Sequence, residues 1–436
     1  MDNSRRTFIK KSTLGVAAMT VGGVGMSAKS YGRIIGANDR LVIAIAGLGR
    51  RLHQGGVVEP IAMKENNVHL KYFCDVMESQ RTRAAEKYSG ALGYTPALES
   101  DIRRIFDDKE VDILVNQMPD HWHTPGACYA VQAGKHVYLE KPTSHNPYEG
   151  ELLVQFQKKY GKLIQTGNQG SSAPKITEII QEIHQGIIGE TYLAVAFYSN
   201  RRGEVPVPRK APVPEGLNWE LWQGPAPRQE YMHDTWDYNW HWYGWTWGTG
   251  ETGNNAIHRL DYARRAMQVD YPERVDVAGG KYHFKEDGWT MYDTLDATLL
   301  FPENKVIKID SKSRNRYLAY GLSTGTIVYG TKGTVVMSGT GYKLYNREGE
   351  LLKEEDSGTD PSALHYANFF NAIRGKDKLN SPVDEVEKTT LWCHLANISY
   401  RLGRGFDVNC RNGQALDRHA MKLWSREYEP GWEPKL

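Results

Sequence analysis

Cysteine is scarce: the chain has four in 436 residues, at positions 74, 128, 393 and 410. None forms a CxxC pair, and thiols so few and scattered make neither a disulfide framework nor a cysteine metal site. They read as core or incidental thiols, which suits folding in a reducing compartment. Charge imbalance is also missing. With 54 basic and 52 acidic residues the net charge is +2, so nothing marks a nucleic acid or an acidic surface as a partner. A long apolar run is lacking too. The stretch Leu14–Met26 contains four glycines and falls short of the ~20 residues that a bilayer-spanning helix needs, so no lasting membrane anchor is expected. Internal repeats and long low-complexity tracts are absent.

What is present begins with a processing segment. Arg5, Arg6, Lys10 and Lys11 precede the apolar run, and small residues follow it at Ser27 and Ala28, the three parts of a signal peptide. Ser4-Arg5-Arg6-Thr7-Phe8-Ile9-Lys10 resembles a twin-arginine signal, which a receptor reads. Residues 1–30 are therefore set apart from the fold, and the expected destination is the periplasm, reached by the folded protein. A hydrophobic content of 40% and a charged content of 24% are ordinary for a globular protein. The length predicts two domains. The boundaries expected are 39–167 for a dinucleotide-binding domain and 168–410 for an α+β domain, with 411–436 as a C-terminal tail.

Leu41–Ala46 (LVIAIA) is an apolar run of the kind buried in a parallel sheet, and Gly47-Leu48-Gly49-Arg50-Arg51-Leu52 follows it at once. Gly47 suits a tight turn and Gly49 a close approach of backbone to pyrophosphate, while Leu52 stands where a third glycine is usual. A second strand, Val68–Cys74, ends at Asp75, placed to meet the adenosine ribose hydroxyls. That favours NAD. Arg50, Arg51 and Arg81 could receive a 2'-phosphate and leave NADP open. Further strands are expected at 112–116, 136–139 and 162–166, with a helix over 124–134, so the first domain reads as a doubly wound Rossmann sheet. Later β-rich runs at 192–198, 293–300, 305–310, 325–329 and 333–337 predict a second, mostly antiparallel sheet. Helices near 365–374 and 383–402 would pack back on the body.

At Met118–Pro142 (MPDHWHTPGACYAVQAGKHVYLEKP) the chain resembles the glucose-fructose oxidoreductase, inositol dehydrogenase and MocA family (Gfo/Idh/MocA), whose members carry an EKP triplet at a strand end, here Glu140-Lys141-Pro142. GNQGS (Gly167–Ser171) and GNNAIHRLD (Gly253–Asp261) extend the resemblance. It implies a Rossmann domain followed by an open, mostly antiparallel sheet domain, binding of NAD, and catalysis shared by Lys141 and His258. It also places Pro119, His121, His123, Glu140 and Lys141 near the cofactor, with Asn168 and Gln169 beside them. Two histidines one residue apart can suggest a metal, but no further ligands stand nearby, and none is expected. Many members have an aspartate four residues before the histidine. Here that residue is Asn254, which cannot accept a proton, so base work is expected of His258. A helix over this segment would put Asn254, His258 and Asp261 on one face, with Asp261 orienting the imidazole or pairing with Arg264 or Arg265.

The chain also has 12 tryptophans. Five fall within Tyr231–Trp247 (YMHDTWDYNWHWYGWTW), just before His258. Aromatic faces stack on the C–H faces of sugar rings, so Trp240 and His241 are substrate candidates together with Asn254 and Asp261. Arg201 and Glu251 are further polar candidates. These residues lead to an exported NAD-dependent oxidoreductase that interconverts a ring hydroxyl and a ketone of a carbohydrate or glycoside. Exported NAD has no pool to exchange with, so it is expected to be tightly bound and recycled in place. A redox-assisted glycosidase or lyase is the second reading, and a non-catalytic sugar-binding or sensing protein the third. The open sheet of the family makes a homo-oligomer the expected assembly.

Overall fold

The computed structural model describes residues 39–436; the export-like segment Ser4–Ala28 lies outside the described residues. Residues Leu41–Leu436 form one compact unit that contains two sheets.

The first sheet has six strands: β1 (Leu41–Ala46), β2 (Val68–Cys74), β3 (Ala97–Glu99), β4 (Ile113–Asn116), β5 (His136–Leu139) and β6 (Ile164–Thr166). All pair in parallel, in the order β3-β2-β1-β4-β5-β6. This is a doubly wound dinucleotide-binding order, whose ligand cleft lies outside the carboxyl ends of the strands where the winding reverses, between β1 and β4. Apolar runs buried on both faces dictate β1 and β4, whose core residues Ile43, Ile45, Ile113 and Val115 have no exposure. The expected runs match β1, β2 and β5 residue for residue, whereas β4 starts at Ile113 and β6 at Ile164. Unexpected is β3, a three-residue edge strand with Ala97 and Leu98 exposed and no apolar run to announce it.

The helix expected from Thr124 instead begins at Asp120 and ends at Gln132, with Pro125 inside it. Proline removes the N–H that would bond the carbonyl four residues back. That carbonyl belongs to His121, and Arg426 Nη2 donates to it at 2.6 Å. The helix thus extends past its proline because a distant arginine takes over the freed acceptor.

The second sheet has nine strands, ordered β14-β13-β12-β11-β7-β10-β9-β8-β15. They are β7 (Thr191–Ser199), β8 (Arg274–Gly280), β9 (Thr294–Leu300), β10 (Val306–Lys312), β11 (Thr324–Gly330), β12 (Gly333–Ser338), β13 (Gly341–Asn346), β14 (Leu351–Asp356) and β15 (Phe406–Asp407). Only β7 and β10 pair in parallel. Burial alternates along β9, β10 and β12, the period of a sheet covered on one side. The covered side holds a core shared with helices 174–184, 257–267 and 383–402. The sequence reading lacked β8 and β13–β15. The first ends in glycines, and β14 (LLKEED) is exposed and charged.

The last helices bind the two sheets together. Tyr366, Phe369 and Phe370, on the helix Ser362–Ile373, are buried in the same core as β1 and β4. Further on, Trp424 enters the second core, Arg426 pairs with Glu149 at 2.7 Å, and Tyr129 is bonded to the Trp432 carbonyl.

Candidate active site

One cleft, at the carboxyl ends of the parallel strands, collects most of the residues singled out above. Gly47 ends β1 with φ +87°, and a Cβ there would lie 2.6 Å from the Gln117 backbone; the turn admits only glycine. Gly49 faces open space. In the third glycine position Leu52 is buried in the first core. The helix after the turn is a single turn, Arg50–His53, shorter than a dinucleotide fingerprint normally continues. Asp75 lines the cleft and accepts from the Leu48 and Met77 backbone N–H groups at 2.7 and 2.8 Å. A carboxylate has about four lone-pair positions, so two remain for hydroxyls. Burial raises its pKa, against the two N–H groups that lower it.

The three arginines named above for a 2'-phosphate are all engaged. Arg50 lies 3.5 Å from Asp237 and over the Tyr238 ring, Arg51 Nε donates to Glu140 at 2.7 Å, and Arg81 donates to the Asp75 carbonyl at 2.6 Å. Next to Gly47, the Gln117 side chain is about nine-tenths buried with neither amide atom hydrogen-bonded. An orphaned buried amide is costly. Gln117, with the free lone pairs of Asp75 and the open approach at Gly49, fits the polar edge of a dinucleotide.

At the end of β5, Lys141 projects into the cleft after Glu140. Its Nζ donates to the Asn254 carbonyl at 2.6 Å and to Asn254 Oδ1 at 3.0 Å. Burial lowers its pKa, although Glu140, Asp120 and Glu251 act to raise it. An ammonium has three donors, which leaves one for a ligand. His258 lines the cleft beside it and makes no hydrogen bond to any described residue. Burial, followed by the charges of Lys141, Arg259 and Arg51, holds its imidazole well below the usual pKa. A neutral ring keeps one nitrogen unprotonated, the form that a general base requires.

The segment carrying Asn254 and His258 is not one α-helix. Thr252–Ala256 forms a π-turn, and an α-helix follows over Ile257–Met267. Such wider turns recur at functional sites. They also upset i,i+4 alignment, and the shared face expected for three residues is lost. Asn254 and His258 line the cleft, whereas Asp261 is buried and accepts from Ser171 Oγ at 3.1 Å. Arg264 goes to Asp270 and Glu385, so Asp261 plays neither role anticipated for it.

Two other candidates stay outside the cleft. His121 packs between Trp222 and Trp247, and its Nε2 meets the Trp222 carbonyl at 2.9 Å. Burial pushes it down to about 3. Asn168 is buried without lining the cleft. By contrast Pro119, His123, Glu140 and Gln169 do line it. His123 Nδ1 lies 2.6 Å from the Pro142 carbonyl; since a carbonyl only accepts, Nδ1 carries the proton and Nε2 is the free nitrogen.

The aromatic stretch divides as its burial requires. Trp242 stacks on Trp289 with centroids 4.1 Å apart, and Trp247 enters a core with Trp222. Trp236, Tyr238, Trp240 and His241 line the cleft. His241 stacks on Trp240, centroids 3.5 Å apart, and its Nδ1 donates to the Tyr238 carbonyl at 2.7 Å. Three residues escaped the sequence reading: Gln117, Trp222, and Arg202, which lines the cleft in place of the exposed Arg201. Arg202 stacks over Trp242 and pairs with buried Glu251. A single Arg-Arg dipeptide in a charged loop gives no sign of which arginine turns inward. Among the described residues no three His, Cys, Asp or Glu side chains are grouped to hold a metal ion, and no helix is long and apolar enough to cross a membrane.

Two family models match the chain: an oxidoreductase family with an NAD-binding Rossmann fold over residues 41–168, and an oxidoreductase C-terminal alpha/beta domain over residues 221–388. A glycosyl hydrolase family 109 protein of Saccharopolyspora erythraea is 27% identical over 212 residues, 45% of this chain and 45% of its own length. D-glucoside 3-dehydrogenase of Escherichia coli is 25% identical over 138 residues, 32% of this chain and 38% of its own. The chain thus spans less than half the length of these two curated relatives. The crystal structure of an aldose-aldose oxidoreductase from Caulobacter crescentus, complexed with glycerol, shares the fold: its TM-score is 0.64 at 19% identity, covering 85% of this chain and 100% of that one.

Proposed function

Because the chain belongs to the Gfo/Idh/MocA oxidoreductase family, with its NAD-binding Rossmann domain and C-terminal alpha/beta domain, we propose that it is an exported enzyme that interconverts a ring hydroxyl and a ketone of a carbohydrate or glycoside, holding its NAD and recycling it in place. The observation that carries this reading is the convergence of Lys141, His258 and an aromatic wall in the cleft that also contains Gly47, Asp75 and Gln117. NAD, when bound, supplies the acceptor for the carbinol hydride. Gly47, Gly49, Asp75 and Gln117 hold the dinucleotide. The free Lys141 N–H donates to the substrate oxygen and favours its alkoxide, His258 takes the hydroxyl proton, and Trp240 and Tyr238 offer faces to the sugar ring.

Retention of NAD is supported by ties across the cleft. The segment after Pro214 reaches back over the end of β2: Glu78 N–H donates to the Gly216 carbonyl at 3.0 Å, and Asn218 N–H donates to the Val76 carbonyl at 3.0 Å. Arg50 adds its contacts with Asp237 and Tyr238. The test is to purify the protein without added nucleotide, dialyse it, denature it and assay the released dinucleotide by absorbance and mass. Stoichiometric NAD is expected, and an empty protein would sink the captive-cofactor reading. For export, replacing Arg5 and Arg6 by lysine is expected to abolish periplasmic accumulation, and unchanged accumulation would exclude the twin-arginine route.

A second reading, redox-assisted cleavage of a glycoside, is favoured by the cleft's histidines. Simple oxidation needs one proton acceptor, whereas His123 and His241 each present a further ring nitrogen with its partner Nδ1 anchored. In that chemistry transient oxidation acidifies a neighbouring C–H bond, the aglycone leaves by elimination, and water and hydride are then restored. Release of a free aglycone without net cofactor reduction would select it over the first reading.

A further inference from the structure

The Glu251 side chain is fully buried, and the reaction proposed above does not use it. A carboxylate withdrawn from water needs donors on its lone pairs. Asn255 Nδ2 donates to Oε2 at 2.8 Å and Ser313 Oγ to the same oxygen at 2.9 Å, while Arg202 Nε stands 3.2 Å from Oε1 as an ion pair. The remaining donor is Asn254 Nδ2, 3.1 Å from Oε1. The other end of that amide accepts from Lys141 Nζ. An amide that donates to a carboxylate is polarised into a better acceptor at its oxygen. Its orientation is fixed as well, since only the oxygen can face an ammonium and only the nitrogen a carboxylate.

We propose that Glu251 is a positioning residue for Lys141: acting through the Asn254 amide, it holds the lysine ammonium at the cleft and sets the pH at which its proton is lost. The functional importance of this rests on the reading of Lys141 as the donor to the substrate oxygen. Other charges also face the lysine. Glu140 is paired with Arg51, and Asp120 takes both the N–H and the hydroxyl of Thr249. Arg51, His258 and His241 face it from the basic side. Among the described residues only Glu251 reaches Lys141 through an unbroken path of hydrogen bonds.

The test follows the reactivity of Lys141 toward acetic anhydride against pH, resolved by mass spectrometry of the peptide that carries it, in the full chain without substrate. In E251Q and in N254A the midpoint for Lys141 is expected to fall by about half a pH unit or more, with the other lysines unmoved. Adding Asn254→Asp to E251Q puts a carboxylate directly on Nζ and is expected to restore the midpoint. Unchanged midpoints in both single variants would overturn the proposal. So would a fall in E251Q that Asn254→Asp does not reverse, because that result belongs to Arg202 left without its counter-charge. N254A keeps the Glu251–Arg202 pair and serves if E251Q does not fold. No turnover enters the measurement, so failure of the oxidoreductase reading would register separately, as absent hydride transfer across a sugar panel.

Discussion

One wall of the cleft is made by the ends of β1, β2, β4 and β5, the other by the irregular stretch Leu221–His241 and the π-turn Thr252–Ala256. The first wall is positioned by backbone: Gly47 N–H bonds the Cys74 carbonyl, Gln117 N–H the Ala46 carbonyl and Glu140 N–H the Asn116 carbonyl. The second is positioned by side chains, through stacked rings and the contacts around Glu251. A sheet edge suits a ligand of constant shape, such as a dinucleotide. A wall of side chains can be altered one residue at a time, and under the function proposed above it is there that substrate preference is open to change.

If the walls divide the work in this way, they should fail differently. The largest effect is expected from Lys141→Ala or His258→Ala, which should slow hydride transfer by about 10²–10⁴-fold while NAD binding, measured calorimetrically, holds; full turnover in both variants would sink the assignment. Gly47→Val breaks the strand-end wall instead. Strain of about 1–3 kcal/mol is expected to weaken NAD binding roughly 10- to 100-fold. An affinity equal to the wild type would show that the turn does not carry the cofactor.

Acid should reveal whether the two halves unfold together. Burial pushes His121 and His394 down to about 3, and His365 to about 4, from an ordinary 6.5. Between 6.5 and those values the unfolded chain binds protons that the folded one refuses, so stability falls as pH falls through that window. At pH 5 each group costs about 2 kcal/mol. Urea unfolding at pH 7 and pH 5 should therefore differ by several kcal/mol. His121→Gln, in the first domain's helix Asp120–Gln132, and His394→Gln, on the helix Val383–Leu402 that shares the second core although the ring itself meets Ser144, should remove similar parts of that difference; if only one does, the halves unfold separately. The smallest effect is expected from Asp237→Asn. Its pair with Arg50 is about half exposed, so its loss should speed NAD release no more than about fivefold in a stopped-flow chase.

The same contrast explains what could be read in advance. Buried parallel strands announce themselves by apolar runs, and LVIAIA, VHLKYFC and HVYL were legible to the residue. So were the EKP triplet and the helix over Val383–Leu402. The π-turn was not, because its residues have the composition of an α-helix and its i→i+5 bonds leave no periodic trace over one turn. Nor did sequence spacing disclose that Asp261 would be claimed by Ser171, or that Arg202 rather than Arg201 faces inward. Those outcomes depend on partners tens to hundreds of positions away, as does the helix start at Asp120.

The helix that crosses its own proline has a consequence for how the chain is made. The carbonyl freed at His121 is satisfied by an arginine 305 positions later, and Tyr366, Phe369 and Phe370 join Phe73, Tyr88 and Tyr138 in the core beneath β1. A ribosome adding about 5–20 residues per second takes roughly 15–60 s to cover the distance from His121 to Arg426. For most of that interval the first sheet, whose last strand ends at Thr166, has an open core and an unsatisfied helix. Completion of the nucleotide domain therefore waits for residues synthesised long after its last strand, β6.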